Sequence, residues 1–181
     1  MIKKLYVKLM CAFGRAIDIK SNSEYPANVL SNFWGNTFLY DGVQCKSMEG
    51  FLQSLKHSDS QKQVEICQCR GKKAKHKGTD SWKISQQLYW KGRVIDRHSD
   101  EYQDFLRSAY QALFTQNEAF KSALMLTRGK ILFHSIGSSN ALETVLTSNE
   151  LCTILTELRD GEDQHRACRN TCSRTHCPFR K

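Results

Sequence analysis

Apolar side chains recur at helical spacing through most of the chain. The clearest stripe follows Ser99, where they repeat every three or four residues and can pack one helix face against a core. Asp100, Glu101 and Asp104 lie near the predicted start of this helix, where negative charge interacts favourably with the helix dipole. The residues of the stripe are Tyr102, Phe105, Leu106, Ala109, Tyr110, Leu113 and Phe114.

Capping residues mark the starts of other helices. Ser47 and Asn117 each precede an apolar repeat, and side chains of these types accept hydrogen bonds from the first backbone N–H groups of a helix. Thr147 and Glu150 have the spacing of a capping box, which introduces a last helix with Leu155 on its inner face. Further helices are predicted over 62–69, 72–77 and 82–89.

The β-structure predicted from the sequence is small. A short hairpin is expected from Thr37 to Cys45, because Asp41-Gly42 is typical of a two-residue turn with positive φ angles. Ile131-Leu132-Phe133 is predicted to be a short strand or a core connector. The predicted fold class is therefore mainly α with a small β element, an α+β fold.

The length and composition predict one main domain. A chain of 181 residues, 40% hydrophobic and 25% charged, is ordinary for a globular protein. Residues 1–14 are predicted to be a lead-in strand or helix, because their apolar run is interrupted by Lys8 and is too short for a membrane span. The domain is expected to cover 15–160, and a basic tail rich in Cys and His to cover 161–181.

The net charge of +9 favours anionic partners such as phosphorylated metabolites, nucleotides or nucleic acid. Five cations fall within one short stretch, which is also typical of a nucleic-acid patch or of a solvated surface. They are Arg70, Lys72, Lys73, Lys75 and Lys77. We expect no membrane partner and a cytoplasmic location.

Eight cysteines are many for this length, and without a convincing secretory signal we expect reduced thiols. The tail offers up to five soft ligands, which are His165, Cys168, Cys172, His176 and Cys177. Zinc needs four ligands placed tetrahedrally, but the tail contains no Cys-x-x-Cys pair. We therefore predict a flexible extension with no metal, and no cofactor for the domain, with the zinc site as the alternative.

Glu49, Gln53 and Lys56 are the first candidates for chemistry. Their spacing places a carboxylate, an amide and an ammonium on one helix face. Such a set can bind a sugar phosphate and stabilise positive charge on a sugar ring. By spacing alone, however, a solvated helix face is the more common explanation.

Short motifs follow one another in a fixed order around this helix. They are Leu30-Ser31-Asn32-Phe33-Trp34, Phe38, Asp41-Gly42-Val43, Ser47 to Lys56, Ala74-Lys75-x-x-Gly78, Tyr110 to Phe120 with Gln116-Asn117, and Leu124-x-x-Thr127 before Leu132. Their order resembles the YbiA-like (NADAR) superfamily over about 28–160. That family has an Asn-Phe dipeptide, a short hairpin and a Ser-x-Glu-x-x-x-Gln-x-x-Lys helix in this order.

The resemblance implies a YbiA-like fold and an enzyme that hydrolyses N-glycosidic bonds. The implied substrates are phosphorylated N-ribosides related to riboflavin intermediates, or ADP-ribosylated guanine with nucleic acid as the carrier. Glu49 would then be the catalytic carboxylate, with Lys56 and the basic stretch holding phosphate. The alternative function is a non-catalytic module that binds nucleotides, ADP-ribose or nucleic acid in the same pocket.

Further site residues follow from the same comparison. We expect five residues to contact substrate, which are Asn32, Phe33, Trp34, Gln53 and Lys56. Trp34 replaces a family tyrosine and is able to stack on a base.

Three further candidates lie outside this helix, and two of them have a structural alternative. His134 lies where the family often has a glutamate, and it is either a proton donor or a structural histidine. Asp96 is either a second catalytic carboxylate or a helix-capping residue, or it pairs with Arg97. Trp90, close to Asp96 in sequence, is a candidate stacking wall of the substrate site.

Overall fold

The computed structural model describes the backbone of residues 2–171 and the side chains of residues 6, 7 and 9–162. Within these residues no helix is long and apolar enough to cross a membrane. The elements in chain order are α1 (Ile2–Ala12), β1 (Ala16–Asp18), β2 (Phe38–Tyr40), β3 (Val43–Cys45), α2 (Met48–Ser54), α3 (Ser60–Cys67), α4 (Gly71–Lys75), α5 (Trp82–Ser85), β4 (Gln87–Trp90), β5 (Arg93–Asp96), α6 (Asp100–Gln116), α7 (Glu118–Met125), β6 (Ile131–Phe133) and α8 (Ser148–Thr171).

Helix α6 runs through the core, and the mainly α, α+β fold class is confirmed. All the apolar positions of its predicted stripe are buried, and α6 packs against α7, α8, β2 and β5. At its start, Ser99 caps the helix by accepting a hydrogen bond from the backbone of Tyr102. In this core the ring of Phe105 meets Tyr40 edge to face and packs at tilted angles against Phe51 and Trp90.

The described strands form three two-stranded sheets. The predicted β2–β3 hairpin is confirmed, and its turn residues Asp41 and Gly42 have φ angles of 47° and 76°. Strand β1 pairs in parallel with β6, which joins the start of the domain to a segment near its end. Because the partners lie far apart in sequence, no local pattern indicated this pairing.

The prediction of a helix over 82–89 was wrong beyond Ser85. Gln86 adopts the left-handed conformation, with φ 55° and ψ 24°, and ends α5. The chain then forms the antiparallel β4–β5 hairpin around Lys91-Gly92, whose φ angles are 48° and 83°. A two-residue turn ending in glycine between β-prone segments was the sequence signal for this hairpin.

The capping box at the start of α8 is confirmed and extends into a buried network. Glu150 Oε2 accepts a hydrogen bond from the backbone of Thr147, while Thr147 Oγ1 accepts one from the backbone of Glu150. The same carboxylate receives two hydrogen bonds from the guanidinium of Arg97, which is 1% exposed. This pair links the turn before α6 to the start of α8.

Helix α8 continues past Gly161, where the composition changes, as far as Thr171. Of the proposed tail ligands, Cys172, His176 and Cys177 lie outside the described residues, and the side chains of His165 and Cys168 are not among those described. In the described part of the chain, no group of three or more His, Cys, Asp or Glu side chains is placed to hold a metal ion.

Glu150→Ala should destabilise the fold by about 3–5 kcal/mol, because it leaves the buried Arg97 guanidinium without its counter-charge. Glu157 is the matched control on the same helix, since its ion pair with Arg107 is about half exposed. Glu157→Ala should change the free energy of unfolding by less than about 1 kcal/mol. Urea denaturation of both variants measures the difference, and equal losses would contradict it.

Candidate active site

The start of α2 is held against the segment that joins α3 to α4. Ser47 Oγ accepts a hydrogen bond from the backbone of Gly50 at 3.0 Å and donates one to the carbonyl of Cys69 at 3.1 Å. A methyl group at Gly50 would lie 2.6 Å from the Cys69 carbonyl oxygen and 3.1 Å from that of Cys67. Only glycine allows this approach, and the approach buries the first turn of α2.

Glu49, in this first turn, is 5% exposed. Its Oε1 accepts a hydrogen bond from Gln53 Nε2 at 2.8 Å and lies 3.7 Å from Lys75 Nζ on α4. Its backbone N–H donates to the carbonyl of Asn32 at 2.9 Å. The predicted helix face is therefore real, but it is buried, and a lysine from another helix completes it.

Burial raises the pKa of the Glu49 carboxyl above its ordinary value of 4.5, while Lys75, Gln53 and Lys56 act in the opposite direction. The burial effect wins because the carboxylate loses most of its water and receives one direct hydrogen bond in exchange. A carboxyl group with a raised pKa beside cations has the properties of a proton acceptor in catalysis.

Lys56 lies one turn beyond Gln53 and is partly buried. Burial, with a smaller effect from Lys75, lowers the pKa of its ammonium to about 8. Its Nζ lies 5.7 Å from the centre of the Trp82 ring, an arrangement in which the ring face stabilises the cation. Two cations therefore flank the one buried carboxylate.

Two buried polar atoms near this group have no hydrogen-bond partner within the described part of the chain, Gln53 Oε1 and Trp82 Nε1. One is an acceptor and the other a donor, and such atoms are uncommon inside proteins unless they have a role in binding. A methyl group at Gly78 would lie 1.9 Å from Gln53 Oε1, so the loop after α4 passes directly over Gln53.

Asn32 belongs to the same site. Its carbonyl accepts from the backbone of Glu49, and its side-chain oxygen accepts from the Tyr110 hydroxyl at 2.7 Å. Phe33 is half-buried beside it. Trp34 is 42% exposed, and its ring is accessible to a stacking partner. Trp82 and Tyr110 reach the site only through tertiary packing, so no local pattern in the sequence indicated their place in it.

Trp90 and Asp96 are not brought to this group. Trp90 is 1% exposed, packs among aromatic rings and donates from Nε1 to Asp41 at 3.0 Å, so it offers no open ring face. Asp96 is exposed, and its carboxylate accepts from the backbone of His98 in the turn before α6. This contact is that of a residue that stabilises the turn before α6. The guanidinium of Arg97 pairs with Glu150.

His134 is also separate from Glu49. Its Nδ1 lies 2.7 Å from the carbonyl oxygen of Ile19, and the ring faces a cavity whose described lining includes neither Glu49 nor Lys56. The structure therefore brings Asn32, Gln53 and Lys56 together with Glu49, and leaves Trp90, Asp96 and His134 in other surroundings.

Comparison with known proteins identifies the family. The profile of the family described as bacteriophage protein GP30.3 matches residues 24–160. The chain belongs to the GP30.3 family. It is 34% identical over 148 residues to an uncharacterized 17.1 kDa protein of enterobacteria phage T4, covering 80% of this chain and 97% of the phage protein.

This member of the GP30.3 family also matches a solved structure. The NMR structure of the E. coli protein YbiA superposes with a TM-score of 0.57 at 18% identity, covering 89% of this chain and 91% of YbiA. At this identity the match concerns the fold. The predicted YbiA-like fold is confirmed.

Glu49→Gln should stabilise the fold at neutral pH, because it removes a charge whose burial raises the pKa of Glu49. For an acid with a raised folded-state pKa, stability is lost as pH rises from the ordinary value of 4.5 through the folded-state value. The advantage of the variant should therefore shrink as pH falls through that window. Thermal unfolding of wild type and variant across this range measures it.

The exposed Glu65 on α3 provides the control. Glu65→Gln should leave the unfolding temperature close to that of the wild type at every pH. A Glu49→Gln variant that is less stable than the wild type at neutral pH would show that the Glu49 carboxylate is a net stabilising group.

Proposed function

We propose that this protein is an N-glycosidase that hydrolyses the bond between a nitrogenous base and a ribose phosphate or ADP-ribose. The observation that carries the proposal is the buried carboxylate of Glu49, held by Gln53 and flanked by Lys75 and Lys56. Membership of a family with the YbiA-like fold supports the same class of hydrolase.

The reaction suits a carboxylate in this position. As the base leaves with the bonding electrons of the C–N bond, positive charge develops on the ribose ring. The Glu49 carboxylate stabilises that charge and accepts a proton from the attacking water, whose oxygen forms the new bond to the sugar. The raised pKa of Glu49 makes its carboxylate a stronger proton acceptor than an ordinary glutamate.

The lysines suit the phosphate of the substrate. The charges of Lys56 and Lys75 both lower the pKa of the Glu49 carboxyl, and the charge of Lys75 also lowers the pKa of Lys56. An arriving phosphate would therefore meet two ammonium groups beside the reacting carboxylate. Lys75 has a side chain that is 56% exposed, which leaves it able to turn towards a ligand.

Groups for recognition of the base and sugar surround these charges. Gln53 Oε1 is able to accept a hydrogen bond and Trp82 Nε1 to donate one, but both atoms are buried, so a ligand reaches them only if the loop at Gly78 moves aside. The exposed ring of Trp34 is available to stack on a base. Nucleic acid can carry the modified base, because the exposed cations of the Arg70 to Lys77 stretch adjoin the site.

Glu49→Gln should lower turnover by at least about 100-fold, because it removes both the proton acceptor and the negative charge. The variant keeps the size of the side chain and an oxygen that accepts from Gln53, so binding of substrate should persist. Release of free base from phosphorylated N-ribosides and from ADP-ribosylated guanine measures turnover. Glu65→Gln is the control and should be as active as the wild type.

The alternative function, a binding module without catalysis, predicts a different outcome. Wild type and Glu49→Gln would then both bind the phosphorylated ligands, and neither would release base. No turnover by the wild type across the whole panel, or full turnover by Glu49→Gln, would overturn the proposed mechanism.

Binding of ribose 5-phosphate should weaken as pH rises through about 8, where the Lys56 ammonium loses its proton. The phosphate stays a dianion in this range, since its second pKa is about 6. Lys56→Arg should remove this pH dependence, because a guanidinium stays charged. Isothermal titration calorimetry measures the affinities, with the exposed Lys62→Arg as control. The same profile for wild type and Lys56→Arg would exclude Lys56 as the phosphate ligand.

A further inference from the structure

A basic cavity of about 470 Å³ lies between the end of β3, the end of α3 and α4. Three cations line it, which are Lys46 from the segment before α2, Arg70 from the segment before α4, and Lys73 on α4. Among the described residues of its lining there is no aspartate or glutamate. The three cations therefore face one space without an acidic side chain in the wall that the structure describes.

These cations also lack an acidic partner outside the cavity. In the described part of the chain, none of the ion pairs includes Lys46, Arg70 or Lys73, whereas Lys75 on the same helix lies close to Glu49. On an ordinary solvated surface, charges of both signs are interspersed. A cleft lined by one sign of charge instead concentrates ions of the opposite sign.

Hydrogen bonds hold the two sides of the cavity together. The backbone N–H of Lys46 donates to the carbonyl of Cys67 at 2.8 Å, and Gln68 Nε2 donates to the carbonyl of Gln44 at 2.8 Å. These bonds join the end of β3 to the end of α3. The segment that carries Lys46 is thereby fixed beside the segment that carries Arg70, although like charges on the two residues repel each other.

Arg70 lies along one wall of the cavity. A methyl group at Gly35 would be 2.9 Å from Arg70 Nη1 and 3.4 Å from Arg70 Cδ, so the side chain of Arg70 lies against the Gly35 backbone. A guanidinium has five N–H donors in a planar fork, which binds two oxygens of one phosphate at the same time. Lys46 and Lys73 add two compact positive charges to the same space.

The number of cations indicates a phosphate group rather than a single carboxylate. A carboxylate has one negative charge, whereas a phosphate monoester carries about −1.5 to −2 charges at pH 7 and has three acceptor oxygens. A nucleic-acid strand presents a row of such groups, each with one negative charge. One carboxylate would leave two of the three cations without a counter-charge, and a phosphate monoester or a strand would not.

This cavity is separate from the group around Glu49. Lys73 and Lys75 are two positions apart on α4, which is about 200° around a helix of 3.6 residues per turn. Lys73 lines the cavity, whereas Lys75 Nζ lies 3.7 Å from Glu49 Oε1. Neither Glu49 nor Lys56 belongs to the described lining. Helix α4 therefore presents one lysine to each of two different places.

We propose that this cavity binds a phosphate group through Lys46, Arg70 and Lys73, as a second anion site apart from Glu49. Its volume is in the range of small-molecule sites, about 300–1,000 Å³. The phosphate belongs either to a free nucleotide or to the backbone of a single-stranded nucleic acid, which share this chemistry. The proposal does not rest on the hydrolysis proposed for Glu49.

Titration of ¹⁵N-labelled protein with thymidine 5′-monophosphate and, separately, with decathymidylate tests this site. Either probe should shift the backbone amide signals of Gly35, Lys46, Arg70 and Lys73, and sodium chloride at the same ionic strength should not. Tighter binding of decathymidylate, with an affinity that falls steeply as salt is added, identifies a nucleic-acid backbone as the ligand. Binding of decathymidylate that is no tighter identifies a free nucleotide.

Lys73→Gln should weaken binding of both probes about fivefold, because it removes one of the three charges. Lys72→Gln is the matched control, since it removes the same charge from an exposed neighbour on α4 that is not in the described lining. It should change the affinity by less than about twofold. Arg70→Gln, which removes the guanidinium fork, should weaken binding at least about tenfold.

Glu49→Gln should give the same shifts at Gly35, Lys46 and Lys73 as the wild type, which separates this site from the proposed active site. The absence of shifts at these residues with both probes would overturn the proposal. Equal weakening by Lys72→Gln and Lys73→Gln would overturn it too, because only the net charge would then matter. Tighter binding of a deca-glutamate peptide than of decathymidylate would show that the surface prefers carboxylates.

Discussion

The contact of Gly50 with the backbone carbonyls of Cys67 and Cys69 is the constraint on which the candidate active site depends. It brings α2 against the end of α3 without a side chain between them, and Ser47 stabilises this close contact with two hydrogen bonds. Because the first turn of α2 is then buried, Glu49 is removed from water. A surface carboxylate would have an ordinary pKa and little reason to be reactive.

Opposing electrostatic effects set the pKa values of Glu49 and Lys56 in the candidate active site. Burial raises the pKa of Glu49 and lowers that of Lys56, and each shift is limited by the opposite charge of the other residue. Lys75 stabilises the carboxylate but opposes the charge on Lys56. Glu49 and Lys56 share a region of low dielectric, and the exposed Lys75 reaches the carboxylate from α4, an arrangement that favours proton transfer and anion binding.

Three residues that the sequence suggested for chemistry lie away from Glu49, each in a different setting. Trp90 fills the core with Phe51 and Phe105, because a large ring buries more apolar area there than at a surface. Asp96 satisfies a backbone N–H before α6. His134 donates to the Ile19 carbonyl and faces a separate cavity whose described lining includes neither Glu49 nor Lys56. The sequence alone did not indicate that these three residues lie apart from Glu49.

Local patterns in the sequence determined most helices, the β2–β3 hairpin and the caps at Ser47, Asn117 and Thr147, because helix period, turn conformation and capping involve neighbouring residues. They also placed Glu49, Gln53 and Lys56 on one helix face. Only the tertiary structure decided that this face is buried, that Lys75 and Trp82 join it, and that β1 pairs with β6. Those outcomes depend on contacts between segments far apart in sequence, where burial and charge have no local signature.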